Sequence, residues 1–286
     1  MKKSILYALI GLATVAVVAI AFVMMSKNAN TNQTTNVTNT ASTINTSSVN
    51  SQQATNSTTN SSAAINVEWQ KTGDGWMAMG TPPTCPTPLT LTSPVDVSKA
   101  TAILYPGQTR GGNYKAHGGF LFRGLANTDV SVKVPLDAQV VQGSRYIEQG
   151  EVQYLFDLQS PCGIRFRFDH LLTLSPAFAA WAEQLPAAEV NSSQTTIFQT
   201  PYAVKAGDVV ATAVGFAKTK NVSVDFGVYD LRQKNAKSTD AAWAASHSPE
   251  QAHYAVCWLD WLSSSDSSKA LPGGDQTAGK TSDFCS

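Results

Sequence analysis

Charge is scarce in this sequence. Only 14 % of its 286 residues are Asp, Glu, Lys or Arg, and 20 basic side chains cancel 20 acidic ones. A chain that binds nucleic acid carries a basic excess to neutralise phosphates; without one, no nucleic-acid partner is expected. The shortage is local, because residues 4–25 and residues 28–67 hold no charged side chain at all. Cysteine is scarce too. The chain has four, and no two stand in a C-x-x-C pair, which argues against a zinc–thiolate site.

The two uncharged stretches differ in kind. "SILYALIGLATVAVVAIAFVMM" is apolar throughout and follows Lys2 and Lys3. Twenty-two residues as a helix cross a hydrocarbon core of about 30 Å. Positive residues stay on the cytoplasmic side. Residues 1–27 are therefore expected to form an uncleaved signal-anchor, with the bulk of a single-pass protein extracytoplasmic. The alternative, a cleaved signal peptide, has a shorter apolar region and a small-x-small cleavage site, which does not follow cleanly here. Residues 28–66 are Asn, Thr, Ser and Gln with little apolar surface, so a disordered linker is expected. About 40 such residues span roughly 35 Å as a coil. Asn32, Asn36, Asn45, Asn56 and Asn60 each begin an N-x-S/T sequon, of the kind that composition alone produces in such a tract.

All four cysteines, Cys85, Cys162, Cys257 and Cys285, lie beyond the apolar segment. An even number in an outward-facing domain suggests disulfides, with three connectivities possible. Cys257 with Cys285 is favoured because the bridge would fasten the C-terminal tail, and Cys85 with Cys162 then follows by elimination.

Ordered sequence begins near Val67. Residues 67–100 are rich in Pro and Thr and predict an extended, loop-like lead-in. Over 101–232 the pattern is of short strands: "TAILY", "GFLF", "VSVKV", "AQVVQGSRYI", "VQYLFDL", "GIRFRFDH", "YAVKAGDVVATAVGF" and "VSVDFGVYDL". In "GIRFRFDH" Ile164, Phe166 and Phe168 point one way and Arg165, Arg167 and Asp169 the other. One helix interrupts, with Ser175 as N-cap, Pro176 at its first position, and an apolar stripe of Phe178, Trp181, Ala182 and Leu185 before Pro186 stops it. The class is mainly β, an open sandwich or barrel-like domain with one inserted helix. In the extension 233–286, "STDAAWAASHSPEQAHYAVCWLDWL" is expected to be partly helical and the remainder loop. Trp258 and Trp261 offer either a sugar-stacking surface or apolar packing beside Cys257, and packing is the expectation.

The order of motifs in 101–232 resembles the lysostaphin-type (LytM-type) zinc endopeptidases, which cleave peptidoglycan cross-links on an open β-sandwich. "HGGFL" is similar to their H-x-G-x-D, "VKVPLDAQVVQGS" to a hairpin, "RFDHL" to Tyr-x-His-Leu, "VKAGDVVATAVG" to the glycine turn, and "VSVDFGVYD" to the His-x-His-Phe strand. The resemblance implies three zinc ligands and a metal-bound water as nucleophile. His117 stands at the first ligand and Gly119 matches, but Leu121 stands at the carboxylate ligand. Ser223 and Asp225 stand at the two histidines of the last motif, and His170 is at the remaining catalytic histidine. Two ligands, His117 and Asp225, do not make a catalytic shell. No cofactor is therefore expected. Zinc enters only under an alternative in which His117, His170 and Asp225 form a shifted set of two histidines and one carboxylate.

Strand alternation puts Ser223, Asp225, Gly227 and Tyr229 on one face, so Asp225 is expected to face a groove beside His117 and His170, with Ser223 and Tyr229 lining it. The other assignments for these residues are structural. His117 then caps a strand end, and His170 hydrogen-bonds Asp225 or a backbone carbonyl. Asp225 with a histidine becomes a buried ion pair that raises the histidine pKa. The resemblance also implies a role: zinc-less members of the family regulate wall-cleaving enzymes. The expected function is thus a tethered, non-catalytic peptidase-like domain binding envelope polymer, peptide or a partner protein. The alternatives are an active zinc hydrolase and a surface spacer or adhesion module.

Overall fold

The computed structural model of the chain describes residues 67–73, 75–247, 250–269 and 282–285. The expected anchor and linker lie outside them. Among the described residues no helix is long and apolar enough to cross a membrane.

The lead-in contains an element its Pro and Thr content hid. Glu68–Thr72 (β1) and Gly75–Met79 (β2) form an antiparallel hairpin, where loop was expected. Only the following stretch to residue 100 runs as irregular chain with one short turn at Val97–Lys99. Then come Ala102–Leu104 (β3), Gln108–Arg110 (β4), Asn113–Lys115 (β5), Gly118–Leu121 (β6), Val132–Lys133 (β7), Ala138–Glu148 (β8), Glu151–Gln159 (β9) and Ile164–Leu174 (β10). The helix α1 follows at Pro176–Ala182. After it lie Glu189–Val190 (β11), Thr196–Val204 (β12), Val209–Val214 (β13) and Ser223–Asp230 (β14). The extension is helical at Ala241–Ser246 (α2) and also at Ser264–Lys269 (α3), where loop was expected.

The chain is mainly β. Ten strands make one sheet whose central order is β11-β8-β9-β10-β14-β6-β3, with β12 on β8 and β13 joining β10 to β7. Long antiparallel ladders at its centre, β8 with β9 and β9 with β10, align the alternating residues across strands. One face collects Ile103, Phe120, Phe156, Phe166, Phe168 and Phe226, all fully buried. Phe178 of α1 packs edge-on against Phe156 at 5.2 Å, so the apolar stripe of the helix closes this core as its spacing predicted. Trp258 closes it elsewhere, with its ring 4.9 Å from Phe120 and 5.2 Å from Phe226. That tryptophan is packing, as expected.

The opposite face is polar, yet it is covered as well. Trp69 of β1 donates its indole N–H to the Pro161 carbonyl, and the Arg165 guanidinium lies 5.3 Å over the Trp76 ring. Residues 254–256 pair with the end of β14 beyond the reach of β6. Trp69, Tyr229, Leu231, Ala252 and Tyr254 thereby form a second, smaller apolar cluster on the polar side. Two disulfides hold the covering segments. Cys85 bonds Cys162, fixing the lead-in to the turn after β9, and Cys257 bonds Cys285, fixing residues 282–285 to the extension.

Candidate functional site

The polar face carries one cluster of ionisable groups that remains partly open. Its frame is the register of three strands. β14 pairs with β10 so that Asp225 lies opposite Asp169, and with β6 so that Asp225 lies opposite Gly119 and Ser223 opposite Leu121. Side chains directly opposite share a face. Leu121 therefore stands beside Ser223 and Asp225, where it supplies carbon and no donor atom.

Two glycines open the space in which the cluster meets. A Cβ on Gly119 would lie 2.6 Å from the Val224 carbonyl oxygen and 3.1 Å from Asp225 Oδ1; one on Gly227 would lie 3.0 Å from His117 Cβ. With neither present, His117 Nε2 reaches Asp225 Oδ2 at 2.9 Å. His170 arrives from the far side. A bulge between Phe168 and Leu171 interrupts the ladder of β10 with β9. His170 sits there with φ of 60°, a conformation histidine tolerates better than most residues. Bulges re-aim side chains, and this one brings His170 Nε2 to 3.7 Å from the same Oδ2. The His170 backbone N–H donates to Asp169 Oδ1, which also accepts from the Tyr146 hydroxyl. The carboxylate of Glu148 stands 3.8 Å from His170 Nδ1.

The sequence thus placed His117, His170 and Asp225 together, and the structure unites them. It is His117, not His170, that makes the direct hydrogen bond. Ser223 and Tyr229 lie on the expected face of β14 but are both buried, and the Tyr229 hydroxyl has no hydrogen-bond partner among the described residues. Burial, together with nearby Asp157 and Asp225, pushes that phenol up to about 12 against the opposing Arg167 and Arg165. Tyr146, Glu148, Asp169 and Arg110 were not singled out in the sequence. Arg110 donates to the carbonyls of Tyr105 and His117, which fixes the backbone that carries the imidazole. Its only advance signal was its position beside the Gly111–Gly112 turn.

Burial favours a neutral Asp225, but the neighbouring His117, then His170 and Arg110, overcome it and hold the carboxyl well below the usual range. Burial would lower His170, but Asp169, Asp225 and Glu148 outweigh both that and the opposing Lys115, so its pKa is raised. The sign for stability follows from linkage. A histidine whose folded pKa exceeds its unfolded value stabilises fully below the unfolded value and loses that contribution as pH rises through the folded one. Unfolding free energy is expected to fall as pH rises from the unfolded histidine value of about 6.5 through the higher folded one, and His170→Gln is expected to flatten that limb in urea titrations. A limb unchanged by the substitution would assign the pH dependence to other groups.

With Leu121 in place of a carboxylate, any zinc here would rest on His117, His170 and Asp225 alone. Zinc at about 2.1 Å from each of three ligands needs their lone pairs aimed at one external point. Here Asp225 Oδ2 is taken by a direct hydrogen bond from His117, and Leu121 contributes nothing. Among the described residues no group of three or more His, Cys, Asp or Glu is arranged to hold a metal ion. The cluster presents one carboxylate between two imidazoles, partly exposed, with side-chain accessibilities of 16 %, 18 % and 19 % for Asp225, His117 and His170. That suits recognition of polar groups.

Fold and site together define a mainly β, doubly disulfide-bonded domain of the kind that persists in oxidising compartments. No protein-family model, no curated protein and no solved structure matches the chain.

Proposed function

We propose that the chain is a single-pass, membrane-anchored extracytoplasmic protein whose lysostaphin-type domain has lost its metal chemistry and serves as a binding module for a cell-envelope polymer. The observation that carries this is the pairing of Leu121 with Ser223 beside an Asp225 already engaged by His117. The covering of the rest of the polar face by β1, β2 and residues 251–255 supports it, since the chain itself occupies the surface beside the cluster. The open end, at His117, His170 and Asp225, is the part left to meet a ligand. A partner protein, such as a wall-cleaving enzyme under regulation, is the other ligand class this surface serves.

A second function, a zinc peptidase with a shifted ligand set, has one observation in its favour. Both imidazole Nε2 atoms converge on a single oxygen of Asp225, at 2.9 and 3.7 Å. Metal analysis separates the two. The purified full chain is expected to hold well under one zinc per molecule and to leave peptidoglycan uncut, while sedimenting with it. His170→Ala and Asp225→Ala are expected to weaken that sedimentation by about tenfold. One tightly held zinc, lost in both His117→Ala and Asp225→Ala, would overturn the binding-module assignment.

A further inference from the structure

Trp258 and Trp261 stand three residues apart in "CWLDWL", and the fold treats them oppositely. Trp258 is fully buried in the main core. Trp261 packs only partly against that core and lines two cavities, of 390 Å³ and 440 Å³, that meet across Asp260 and Trp261. Volumes in this range are those of small-molecule sites. We infer that this cleft binds a saccharide chain, with the Trp261 indole as the stacking platform and the Asp260 carboxylate as the acceptor for ring hydroxyls. This rests on the envelope-polymer assignment above and specifies that the glycan, not the peptide, is held here.

The chemistry of the lining selects the occupant. Asp260 is exposed, and among the described residues its carboxylate has no hydrogen bond or ion pair. The Trp261 ring likewise has no aromatic neighbour and its indole N–H no acceptor among them, whereas Trp243 and Trp69 each donate to a named oxygen. A partly exposed indole offers apolar surface to sugar C–H groups and a donor at its edge. A carboxylate accepts strongly from hydroxyls. The cations at the rim are already neutralised. Lys237 lies 3.5 Å from Asp283, and Arg232 lies 2.7 Å from Asp230. Among the described lining residues one negative charge is left unbalanced, at Asp260, which disfavours a polyanion and leaves a neutral polyol as the matching ligand. Thr84 and Gln233 add a hydroxyl and an amide on the wall of the larger cavity.

The platform is also held still. The Leu91 N–H donates to the Trp261 carbonyl at 2.7 Å, and Leu91 bridges Leu262. Cys85 lines one cavity and Cys257 the other, so each wall contains one disulfide. A rigid platform reduces the ordering cost of binding.

The test uses the full chain in mild detergent, titrated with a β-1,4-linked N-acetylglucosamine tetramer by calorimetry, alongside sedimentation with intact peptidoglycan. The tetramer is expected to bind, about tenfold more weakly to Asp260→Ala and to Trp261→Ala. Trp261→Phe, which keeps an aromatic face and the packing, is expected to stay within about threefold of the parent. Because Asp260 is exposed, its variant also guards against a loss caused by misfolding. Tetramer binding unchanged by both alanine variants would place the glycan elsewhere and overturn the inference. Sedimentation with polymer in the absence of tetramer binding would overturn it too, while leaving the polymer assignment intact. Failure of both would remove both.

Discussion

Replacing Asp157 with alanine is expected to destabilise the domain by about 3–5 kcal/mol, the range for stripping one partner from a buried ion pair. Asp157 lies on β9 and is inaccessible to solvent. Its Oδ2 accepts from Arg165 Nη2 at 2.8 Å, from Arg167 Nη2 at 2.6 Å and from Gln142 Nε2 at 2.6 Å, while Oδ1 accepts from Arg167 Nε at 2.8 Å. The Arg165 and Arg167 side chains are only 6 % and 16 % exposed. Without the carboxylate, two guanidinium groups remain in a covered site with no counter-charge in contact among the described residues, where Arg165 Nε already lacks a partner. Burial pushes Asp157 upward, but the two guanidinium groups dominate and hold its carboxyl well below the ordinary range. That contribution is present above the unfolded value of about 3.9 and is lost as pH falls towards the folded one. The parent is therefore expected to lose stability in acid more steeply than Asp157→Asn, which has no carboxyl to protonate. Urea unfolding at neutral and acid pH measures both effects. A cost under about 1 kcal/mol would mean that water or other side chains satisfy the arginines, and that the network is a minor element of this face.

Loss of the Cys85–Cys162 bridge, in a Cys85→Ala/Cys162→Ala double variant, is expected to cost about 4 kcal/mol, towards the upper end of the 2–5 kcal/mol typical of native disulfides. The bridge spans 77 residues, so it removes much freedom from the unfolded chain. The Cys257–Cys285 bridge spans 28 and is expected to cost about 1 kcal/mol less on removal. Both cysteines of the long bridge are nearly buried, at 7 % and 6 %, which adds a packing loss to the entropic one. Denaturant unfolding of the two double variants ranks them. The reverse order would show that local docking of residues 282–285, through Asp283 to Tyr114 and Trp243, outweighs loop entropy.

Alternation told the faces of the sheet correctly. Ile164, Phe166 and Phe168 are in the core and Arg165, Arg167 and Asp169 oppose them. What alternation does not carry is whether a polar face meets water. Arg165 and Asp157 are buried because distant segments cover them, and no local pattern encodes that. The β1–β2 hairpin had a legible signal in Gly73-Asp74-Gly75, a turn sequence suited to two-residue hairpins, outweighed by the Pro and Thr that follow. At the site, period-two spacing was enough to put Asp225 on the face shared with His117. The direct contact with His117, and not His170, depends on the bulge at Asp169–His170 and on the clearances at Gly119 and Gly227, which are tertiary facts. Tyr146, Glu148 and Asp169 enter by register across β8, β9 and β10, which a single sequence leaves unaligned.

The two bridges also set what a single backbone cut can do. A nick anywhere between residues 86 and 161 leaves both fragments covalently joined through Cys85 and Cys162, and a nick between 258 and 284 leaves them joined through Cys257 and Cys285. A chain clipped once in either interval keeps its mass on a non-reducing gel and comes apart only when a thiol is added. Covalent integrity across these intervals thus outlasts the integrity of the peptide backbone.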